Sequence, residues 1–254
     1  MDSVPVNLLK KERHAYIIKQ INLHNKVLSS HLSEVLQVSE DTIRRDLMEL
    51  SQAGEILKVH GGAISKSYHF PSGQSQVYAQ ESKRVIAQKA IGLLHSGMTV
   101  LTEAGTTMRE MVRMIPKNLE ATFFTVSPMI ALELAEHPML NVVLLGGQVD
   151  MSAQITIGEK TVSELADIHV DLCFLGANAI DATKGITEVD WRVAQVKKAM
   201  VRAASQLAII CISEKLNSTH KMKVCGPNRI DYLVTELSPA HKRLSAYRKN
   251  ITVI

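Results

Sequence analysis

Arg44 and Arg45 are the neighbouring side chains with the clearest chemical use in this sequence. A guanidinium group donates hydrogen bonds in a planar fork, which can pair with N7 and O6 of guanine in the major groove or hold a phosphate oxygen. If a folded element presents the pair outward, the two arginines can read duplex DNA. The predicted DNA-binding set comprises Ser39, Thr42, Arg44, Arg45, Lys58, His60 and Gly61.

A second set of residues suits the binding of a small anion. Glycines and hydroxyl side chains follow three successive apolar runs, where backbone N–H groups at a helix start can approach a phosphate group. Lys197 or Lys215 could add a positive charge. These segments contain Gly105, Thr106, Thr107, Thr125, Ser127, Gly146 and Gly147. Each signal alone also fits a helix cap, a tight turn or, for Lys197, a solvated helix face, but their joint placement predicts a site for a phosphorylated metabolite.

A helix must present the two arginines. Ser39 can cap it because its hydroxyl accepts an unpaired N–H of the first turn, and the two acidic residues that follow suit the positive end of the helix dipole. Ile43, Leu47 and Leu50 form one apolar stripe, while the arginines fall on other faces. Gly54 can end the helix.

Two shorter amphipathic segments precede this helix, around residues 17–21 and 32–36, so three helices can share a small core. Residues 55–63 alternate and end in two glycines, which predicts a two-stranded wing whose Lys58 and His60 approach the DNA backbone or minor groove. The alternative is an ordinary helical hairpin with a solvated arginine pair. Glu40 and Asp41 would repel phosphates, so the DNA contact must be local.

The rest of the chain alternates between helical patterns and short apolar runs rich in Val, Ile and Leu, which predicts a Rossmann-like α/β domain with a mostly parallel sheet covered on both faces. The predicted strands lie within residues 98–104, 121–127, 141–147, 170–177, 207–212, 232–235 and 251–254. The predicted helices cover residues 84–94, 107–115, 128–136 and 190–204. Ligands of such sheets bind beyond the carboxyl ends of the strands.

Length and composition agree with two domains. The 254 residues are 46% apolar, and the formal net charge of +4 permits nucleic-acid contact without requiring it. The three cysteines have no paired spacing, which indicates a reducing compartment, and no segment has the pattern of a signal peptide or a membrane span. We expect a cytoplasmic protein with no metal site. The predicted domains are residues 1–65 and 81–254, with a linker at 66–80.

The first domain resembles the DNA-binding domain of the DeoR/GlpR family of bacterial sugar-metabolism regulators. The matching segments are Lys11-Glu12-Arg13-His14, residues 38–47 and Val59-His60-Gly61-Gly62-Ala63. The resemblance implies a winged helix-turn-helix domain, with the helix-turn-helix itself at about residues 27–46.

The second domain resembles the same family. The matching residues are Lys83-Arg84, Ile86-Ala87, Gly105-Thr106-Thr107, residues 143–147, Gly158, Asp171, residues 174–177, Asp181, Gly185-Ile186-Thr187, Asp190, residues 194–197 and Lys215. The resemblance implies a fold similar to ribose-5-phosphate-isomerase-type domains that senses sugar phosphates. It also places Glu103, Asp181 and Thr187 in the effector-binding set.

Several positions depart from the family pattern. Glu103 stands for the usual aspartate, Thr125-Val126-Ser127 for Thr-Asn-Ser, Arg192-Val193 for an acidic pair, and Cys211-Ile212-Ser213-Glu214-Lys215 for Ala-Asp-Ser-Ser-Lys. Losing these polar groups removes partners for a hydroxyl-rich ligand. We therefore expect an altered effector or weakened sensing, with DNA binding retained.

The expected function is a repressor that binds double-stranded operator DNA under the control of a phosphorylated metabolite and uses no other cofactor. Because one small DNA-binding domain contacts few base pairs, we expect a dimer or tetramer. The alternative is a sugar-phosphate isomerase with an appended helical domain, in which Glu103 or Asp181 would be the base. An RNA-binding module is a weaker alternative, since only 4% of the residues are aromatic.

Overall fold

Two units make up the chain in the computed structural model, residues 1–78 and residues 79–254. The structure describes residues 8–24, 26–65 and 77–254. Most of the predicted linker, residues 66–76, therefore lies outside the described residues. The last predicted linker residue, Gln80, already begins a helix.

The described residues of the first unit form three helices and a small antiparallel sheet. Its elements are α1 (Lys10–His24), β1 (Lys26–Leu28), α2 (Ser29–Leu36), α3 (Glu40–Gln52), β2 (Ile56–Val59) and β3 (Gly62–Ser65). The predicted apolar stripe of α3 is confirmed, because Ile43, Leu47 and Leu50 are buried in the core that α1 and α2 share. This arrangement is a winged helix-turn-helix fold.

The wing was predicted with two strands, but its sheet has three, in the order β1-β3-β2. Strand β1 has only three residues between two helices, which is too short to show an alternating pattern. It pairs antiparallel with β3 and brings the Val27 carbonyl against Gly62, where a Cβ atom would lie 1.9 Å from the carbonyl oxygen. The second glycine of the wing is thus required by this close approach.

The second unit is built on a seven-stranded sheet, in which every neighbouring pair is parallel. Its strands, in spatial order, are β15 (Thr252–Val253), β14 (Tyr232–Val234), β12 (Ala204–Ile210), β9 (Val170–Gly176), β4 (Thr99–Thr102), β5 (Ala121–Thr125) and β6 (Leu140–Leu144). Each of the seven predicted apolar runs overlaps one of these strands. The predicted Rossmann-like parallel sheet is confirmed.

Helices and two small sheets complete the second unit. The helices are α4 (Gln80–Ile91), α5 (Thr106–Arg113), α6 (Pro128–Ala135), α7 (Glu159–Ala166) and α8 (Trp191–Arg202). The small sheets are the hairpin of β7 (Gln148–Asp150) and β8 (Ile155–Ile157), and the sheet of β10 (Ala179–Asp181), β11 (Gly185–Glu188) and β13 (Met222–Cys225). Helix α7 and both small sheets were not predicted. The carboxyl ends of the parallel strands meet at one edge, where the predicted effector residues were expected.

Candidate functional site

The start of α3 is fixed by the predicted cap. Ser39 Oγ accepts a hydrogen bond from the Thr42 backbone N–H at 3.1 Å, and the two hydroxyl oxygens lie 2.9 Å apart. Ser39 is exposed and Thr42 is half-buried. Both hydroxyls therefore stand at the exposed N-terminal turn of the helix, one turn ahead of the arginine pair.

Both arginines of α3 point into solvent. The Arg44 side chain is 62% exposed and its Nη2 lies 3.5 Å from Glu40 Oε2. Arg45 is 78% exposed, and its Nη2 donates to Asp41 Oδ2 at 3.3 Å. Exposed pairs of this kind contribute only about 0.3–0.5 kcal/mol, so they leave the guanidinium groups free to exchange partners. The two acidic residues that are expected to repel phosphates are the partners of these weak pairs.

The wing brings three more predicted residues toward Arg44. A cleft of about 310 Å³ is lined by Ser29, Ser30, Glu40, Arg44, Lys58, Val59, His60, Gly61 and Gly62. Gly61, at the turn, has φ +77° and its carbonyl accepts from the Ser29 N–H at 2.9 Å, which joins the wing to the start of α2. One concave surface thus carries Arg44, Lys58 and His60. Arg45, Ser39 and Thr42 do not line this cleft.

Asp46, directly after the arginine pair, is buried. Its carboxylate accepts from Arg13 Nε at 2.6 Å and Nη2 at 3.1 Å, and His14 Nε2 lies 2.9 Å from Oδ1. Burial opposes ionisation of Asp46, but the hydrogen bonds from Arg13 and His14 outweigh it and lower the pKa of this carboxyl group. Sequence reasoning missed this contact, because its partners lie more than 30 residues apart.

In the second unit, Lys197 is buried between two carboxylates. Its Nζ lies 3.1 Å from Glu103 Oε1 and 2.8 Å from Glu188 Oε2, and it donates to the Gly176 carbonyl at 3.2 Å. The alternative of a solvated helix face is therefore wrong for Lys197. Its ammonium is neutralised by protein groups, which leaves it little capacity to hold a phosphate.

The two carboxylates around Lys197 differ in acidity. Glu188 also accepts from Asn178 Nδ2 and from the Val189 N–H, and these contacts together with Lys197 overcome burial and lower its pKa to about 2. Burial raises the pKa of Glu103, against the opposing effect of Lys197. Lys197 and Glu188 thus form the stable ion pair, and Glu103 takes up a proton more readily. Glu188 and Asn178 were absent from the predicted set.

The predicted residues after β4 and β5 stand at helix starts. Gly105 precedes α5 with φ +128°, and a Cβ atom there would meet nothing, so its backbone faces open space. Thr106 is buried and Thr107 half-buried. Thr125 Oγ1 donates to the Thr102 carbonyl at 3.0 Å and accepts from the Ser127 N–H at 3.1 Å, while Ser127 Oγ caps α6 through the Ile130 N–H at 3.4 Å.

Gly146 and Gly147 pack against α7. The Gly146 N–H donates to Glu164 Oε2 at 2.6 Å, and its carbonyl accepts from Thr161 Oγ1 at 2.7 Å. A Cβ atom on Gly147 would lie 2.1 Å from Thr161 Oγ1. The glycine pair therefore permits a close helix contact, and the Gly146 N–H is already used.

Asp181 and Thr187 have structural contacts in the β10–β11 hairpin. Asp181 Oδ1 accepts from the Thr183 N–H, the Thr183 hydroxyl and the Lys184 N–H at 2.7–3.0 Å, which caps the turn. Thr187 Oγ1 accepts from the His220 N–H at 2.7 Å. Asp181 lies at the tip of the hairpin, whereas Glu188 and Asn178 lie at its base. The structure does not bring Asp181 to the Glu103–Lys197 cluster.

Lys215 follows β12 and is half-buried, and burial lowers its pKa. Lys83 of α4, which was not in the predicted set, is buried. Burial and the nearby Lys215 lower the Lys83 pKa to about 7, although Glu110 opposes this change. Because the positive charge of Lys215 disfavours that of Lys83, an anion bound beside Lys83 would favour its charged form.

Among the described residues, no helix combines the length and the apolar character needed to cross a bilayer. Within the same residues, no three His, Cys, Asp or Glu side chains group as metal ligands would.

Family comparisons match both units. The DeoR-like helix-turn-helix domain matches residues 13–68, and the DeoR C terminal sensor domain matches residues 78–237. The two matches together cover α3, the wing and most of the parallel sheet.

Similar proteins are named as regulators. The chain is 33% identical to the HTH-type transcriptional regulator GlpR of Haloferax volcanii, over 90% of this chain and 91% of that protein. It is 29% identical to the HTH-type transcriptional repressor GlcR of Bacillus subtilis, over 91% and 90% of the two chains. It is 26% identical to the glycerol-3-phosphate regulon repressor of Escherichia coli K12, over 90% and 91%.

Solved structures resemble the chain more loosely. Ribose 5-phosphate isomerase A of Neisseria gonorrhoeae matches with a TM-score of 0.41 and 16% identity, over 55% of this chain and 54% of that one. The δ subunit of eIF2B from Chaetomium thermophilum matches with a TM-score of 0.44 and 18% identity, over 63% and 57%.

Proposed function

The chain belongs to the DeoR family of DNA-binding transcriptional regulators, and we propose that it represses a carbohydrate-metabolism operon under the control of a phosphorylated metabolite. One observation carries the proposal: a capped helix exposes Arg44 and Arg45 beside a wing, in a chain that matches the family in both units. The site of action is the cytoplasm, where operator DNA is reached directly.

On the DNA side, α3 enters the major groove and Arg44 reads a base edge. Lys58, His60 and the backbone at Gly61 hold phosphates from the wing, while Ser39 and Thr42 contact the backbone at the start of α3. The cleft shared by Arg44, Lys58 and His60 supports this division, because it allows one stretch of duplex to touch helix and wing together. Arg45 contacts the DNA outside that cleft.

On the effector side, a phosphorylated ligand binds at the carboxyl edge of the parallel sheet. Gly105, Thr106 and Thr107 offer N–H groups and hydroxyls at the start of α5, and Lys215 supplies the charge, because Lys197 is already neutralised. The relative named as a glycerol-3-phosphate regulon repressor supports a phosphorylated effector. Six other members of the predicted set would support this site through the internal contacts described above: Glu103, Thr125, Ser127, Gly146, Gly147 and Lys197. The contacts of Asp181 and Thr187 lie within the β10–β11 hairpin, and we do not place these two residues at the ligand.

Either the effector differs from the usual family ligands or its sensing is weakened. Val126, Val193 and Ile212 stand where the family pattern has polar residues, and all three are buried in the apolar core. Arg192 is paired with Asp150 at 3.0 Å. A hydroxyl-rich ligand would therefore find fewer partners here.

The enzyme alternative has little support. An enediol isomerisation needs a base that is free to take a substrate proton. Both oxygens of Glu103 are engaged, by Lys197 and by the Gly176 N–H at 3.1 Å, and Asp181 caps a turn. The relatives are named as regulators.

A mobility-shift titration tests the proposal. Purified protein is titrated onto duplex fragments from upstream of its own and neighbouring genes, with and without a panel of sugar and polyol phosphates. We expect salt-dependent binding to at least one fragment and release by one phosphorylated compound. Turnover of pentose or hexose phosphates, without DNA binding, would overturn it.

A further inference from the structure

A buried carboxylate lies on the inward face of α3, the helix that carries Arg44 and Arg45. Among the described residues of the first unit, Asp46 is the only buried side chain that carries a formal charge. It comes directly after Arg44 and Arg45 on α3. Burying a charge is unfavourable unless it is paired, so the partners of Asp46 matter for how α3 is held.

The partners come from one face of α1. Arg13 donates through both Nε and Nη2 to the two carboxylate oxygens, at 2.6 and 3.1 Å, and His14 Nε2 lies 2.9 Å from Oδ1. Arg13 Nη1 also donates to the Leu8 carbonyl at 3.4 Å. A two-point fork fixes both the distance and the plane of the carboxylate, unlike a single hydrogen bond.

The apolar contacts of α3 do not supply the same restraint. Ile43, Leu47 and Leu50 pack into the core, but apolar burial is non-directional, whereas a hydrogen-bonded fork has a fixed geometry. Arg44 lies about 200° around the helix axis from Asp46, since each residue turns an α-helix by about 100°. Holding Asp46 against α1 therefore holds Arg44 on the outward side.

A second ion pair joins the same two helices at the surface. Lys10 Nζ lies 2.7 Å from Glu49 Oε2, with side-chain exposures of 58% and 47%. Solvent and salt weaken such a pair, and it imposes little order. The chain thus offers a buried and an exposed connection between α1 and α3 for direct comparison.

We propose that Arg13 and His14 clamp Asp46, and that this clamp sets the rotation of α3 and so directs Arg44 and Arg45 into the groove. The inference rests on the proposed DNA-binding function. Arg13, His14 and Asp46 are positioning residues, which act on DNA through α3. Losing the clamp lowers the discrimination between a preferred sequence and other sequences, because base contacts need accurate geometry whereas phosphate contacts tolerate displacement.

The test compares two dissociation constants for each variant of the full chain. One probe is a duplex selected by the wild-type protein from a random library, and the other is a shuffled duplex of equal length, both at one salt concentration. The variants are Asp46→Asn, Arg13→Lys and His14→Gln. The matched control is Lys10→Gln at the exposed pair, because Lys10 does not contact the clamp, whereas Glu49 Oε2 also lies 3.9 Å from His14 Nε2. Thermal unfolding measures how much of each variant is folded.

Arg13→Lys keeps the charge but loses the fork. We expect it and Asp46→Asn to lower the ratio of the two dissociation constants by about tenfold, comparable with one bidentate base contact, and His14→Gln to have a smaller effect in the same direction. The control Lys10→Gln should change both dissociation constants by a similar factor and alter their ratio by less than about twofold.

Removing one partner of a buried pair can unfold the domain. A double variant, Arg13→Met with Asp46→Leu, replaces the clamp with apolar groups that pack without unpaired charge. We expect this protein to fold and bind both duplexes, but with the lowered ratio. A folded double variant with wild-type discrimination would overturn the clamp, as would an unchanged ratio in Arg13→Lys. If the wild-type protein selects no duplex, the proposed function itself fails.

Discussion

Arg44 combines exposure with a place on the cleft that the wing shares, and we expect base reading to depend on it most. Its guanidinium group is held only by acidic neighbours on its own helix turn, and these release it easily. Lys58 lies on the same cleft but on the wing, where a phosphate is the natural partner. We therefore expect Arg44 and Lys58 to have separable roles in DNA binding.

Arg44→Ala should weaken binding to the selected duplex by about 1–3 kcal/mol and relax specificity at one position. Lys58→Ala should weaken binding to all sequences and lower the slope of log affinity against log salt by about 1. Fluorescence anisotropy over a range of salt concentrations measures both effects. Equal losses on selected and shuffled duplexes for Arg44→Ala would remove it from the base-reading set.

Lys197 and Lys198 are sequence neighbours in opposite environments. Lys197 is buried between Glu103 and Glu188, whereas Lys198 is half-buried and lies 5.1 Å from the centre of the Trp191 ring. Lys197→Met leaves two buried carboxylates unpaired and should destabilise the second unit by about 3–5 kcal/mol. Lys198→Met should change its stability by about 1 kcal/mol or less. Urea unfolding monitored by Trp191 fluorescence compares the stability of the two variants. Similar unfolding midpoints for Lys197→Met and Lys198→Met would contradict the buried cluster.

The low pKa of Lys83, about 7, makes stability depend on pH. Between pH 7 and the unfolded pKa of about 10.4, the unfolded chain binds a proton that the folded chain has lost, so stability rises with pH by up to about 1.4 kcal/mol per pH unit. Lys215 and Glu110 face this group and remain in the variant Lys83→Met, which should lose that rise. Urea midpoints from pH 7 to 9.5 measure it. If the urea midpoints of the wild type and of Lys83→Met change with pH in the same way, Lys83 is charged over the whole range and this prediction is wrong.

At the scale of elements, periodic patterns predicted most of the fold. The cap at Ser39, the stripe of α3 and the seven apolar runs are local signals, and each marks an element of the structure. The features that the sequence did not predict are either very short elements or contacts between residues far apart in the chain. Strand β1 has three residues, and the pairings of Arg13 with Asp46 and of Lys197 with Glu103 join residues far apart in sequence. Lys197 was predicted as a phosphate ligand because the sequence did not reveal its carboxylate partners.

The wing offers a test at this scale, because its two adjacent positions require glycine for different structural reasons. A Cβ on Gly62 would meet the Val27 carbonyl at 1.9 Å, so Gly62→Ala must separate β1 from β3. Gly61 has φ +77° but open space, so Gly61→Ala should cost only about 1 kcal/mol of backbone strain. We expect Gly62→Ala to destabilise the first unit by at least 3 kcal/mol, as a forced backbone shift would. Thermal unfolding of both variants checks this, and equal effects would contradict the three-stranded wing.

At the scale of the whole molecule, the first unit is proposed to bind DNA and the second to bind the effector. Regulation then requires that effector binding change the affinity of the chain for DNA. By linkage, an effector that releases the operator must itself bind less tightly to the DNA-bound protein, by the same factor. Two reading units on half-sites about one helical turn apart would add length and avidity.

Sedimentation of the full chain at micromolar concentration should therefore give a dimer or a larger assembly. Adding the selected duplex should give complexes with an even number of chains, because each half-site holds one reading unit. A monomer in both conditions would contradict paired half-sites.

The central claim is that this chain reads duplex DNA by sequence, and one binding measurement tests it most directly. Wild-type protein is titrated onto its selected duplex and onto the shuffled duplex at several salt concentrations. We expect at least about a thousandfold preference for the selected sequence, the lower end for specific regulators, with both affinities falling as salt rises. Equal affinity for the two duplexes, or binding that does not respond to salt, would contradict it.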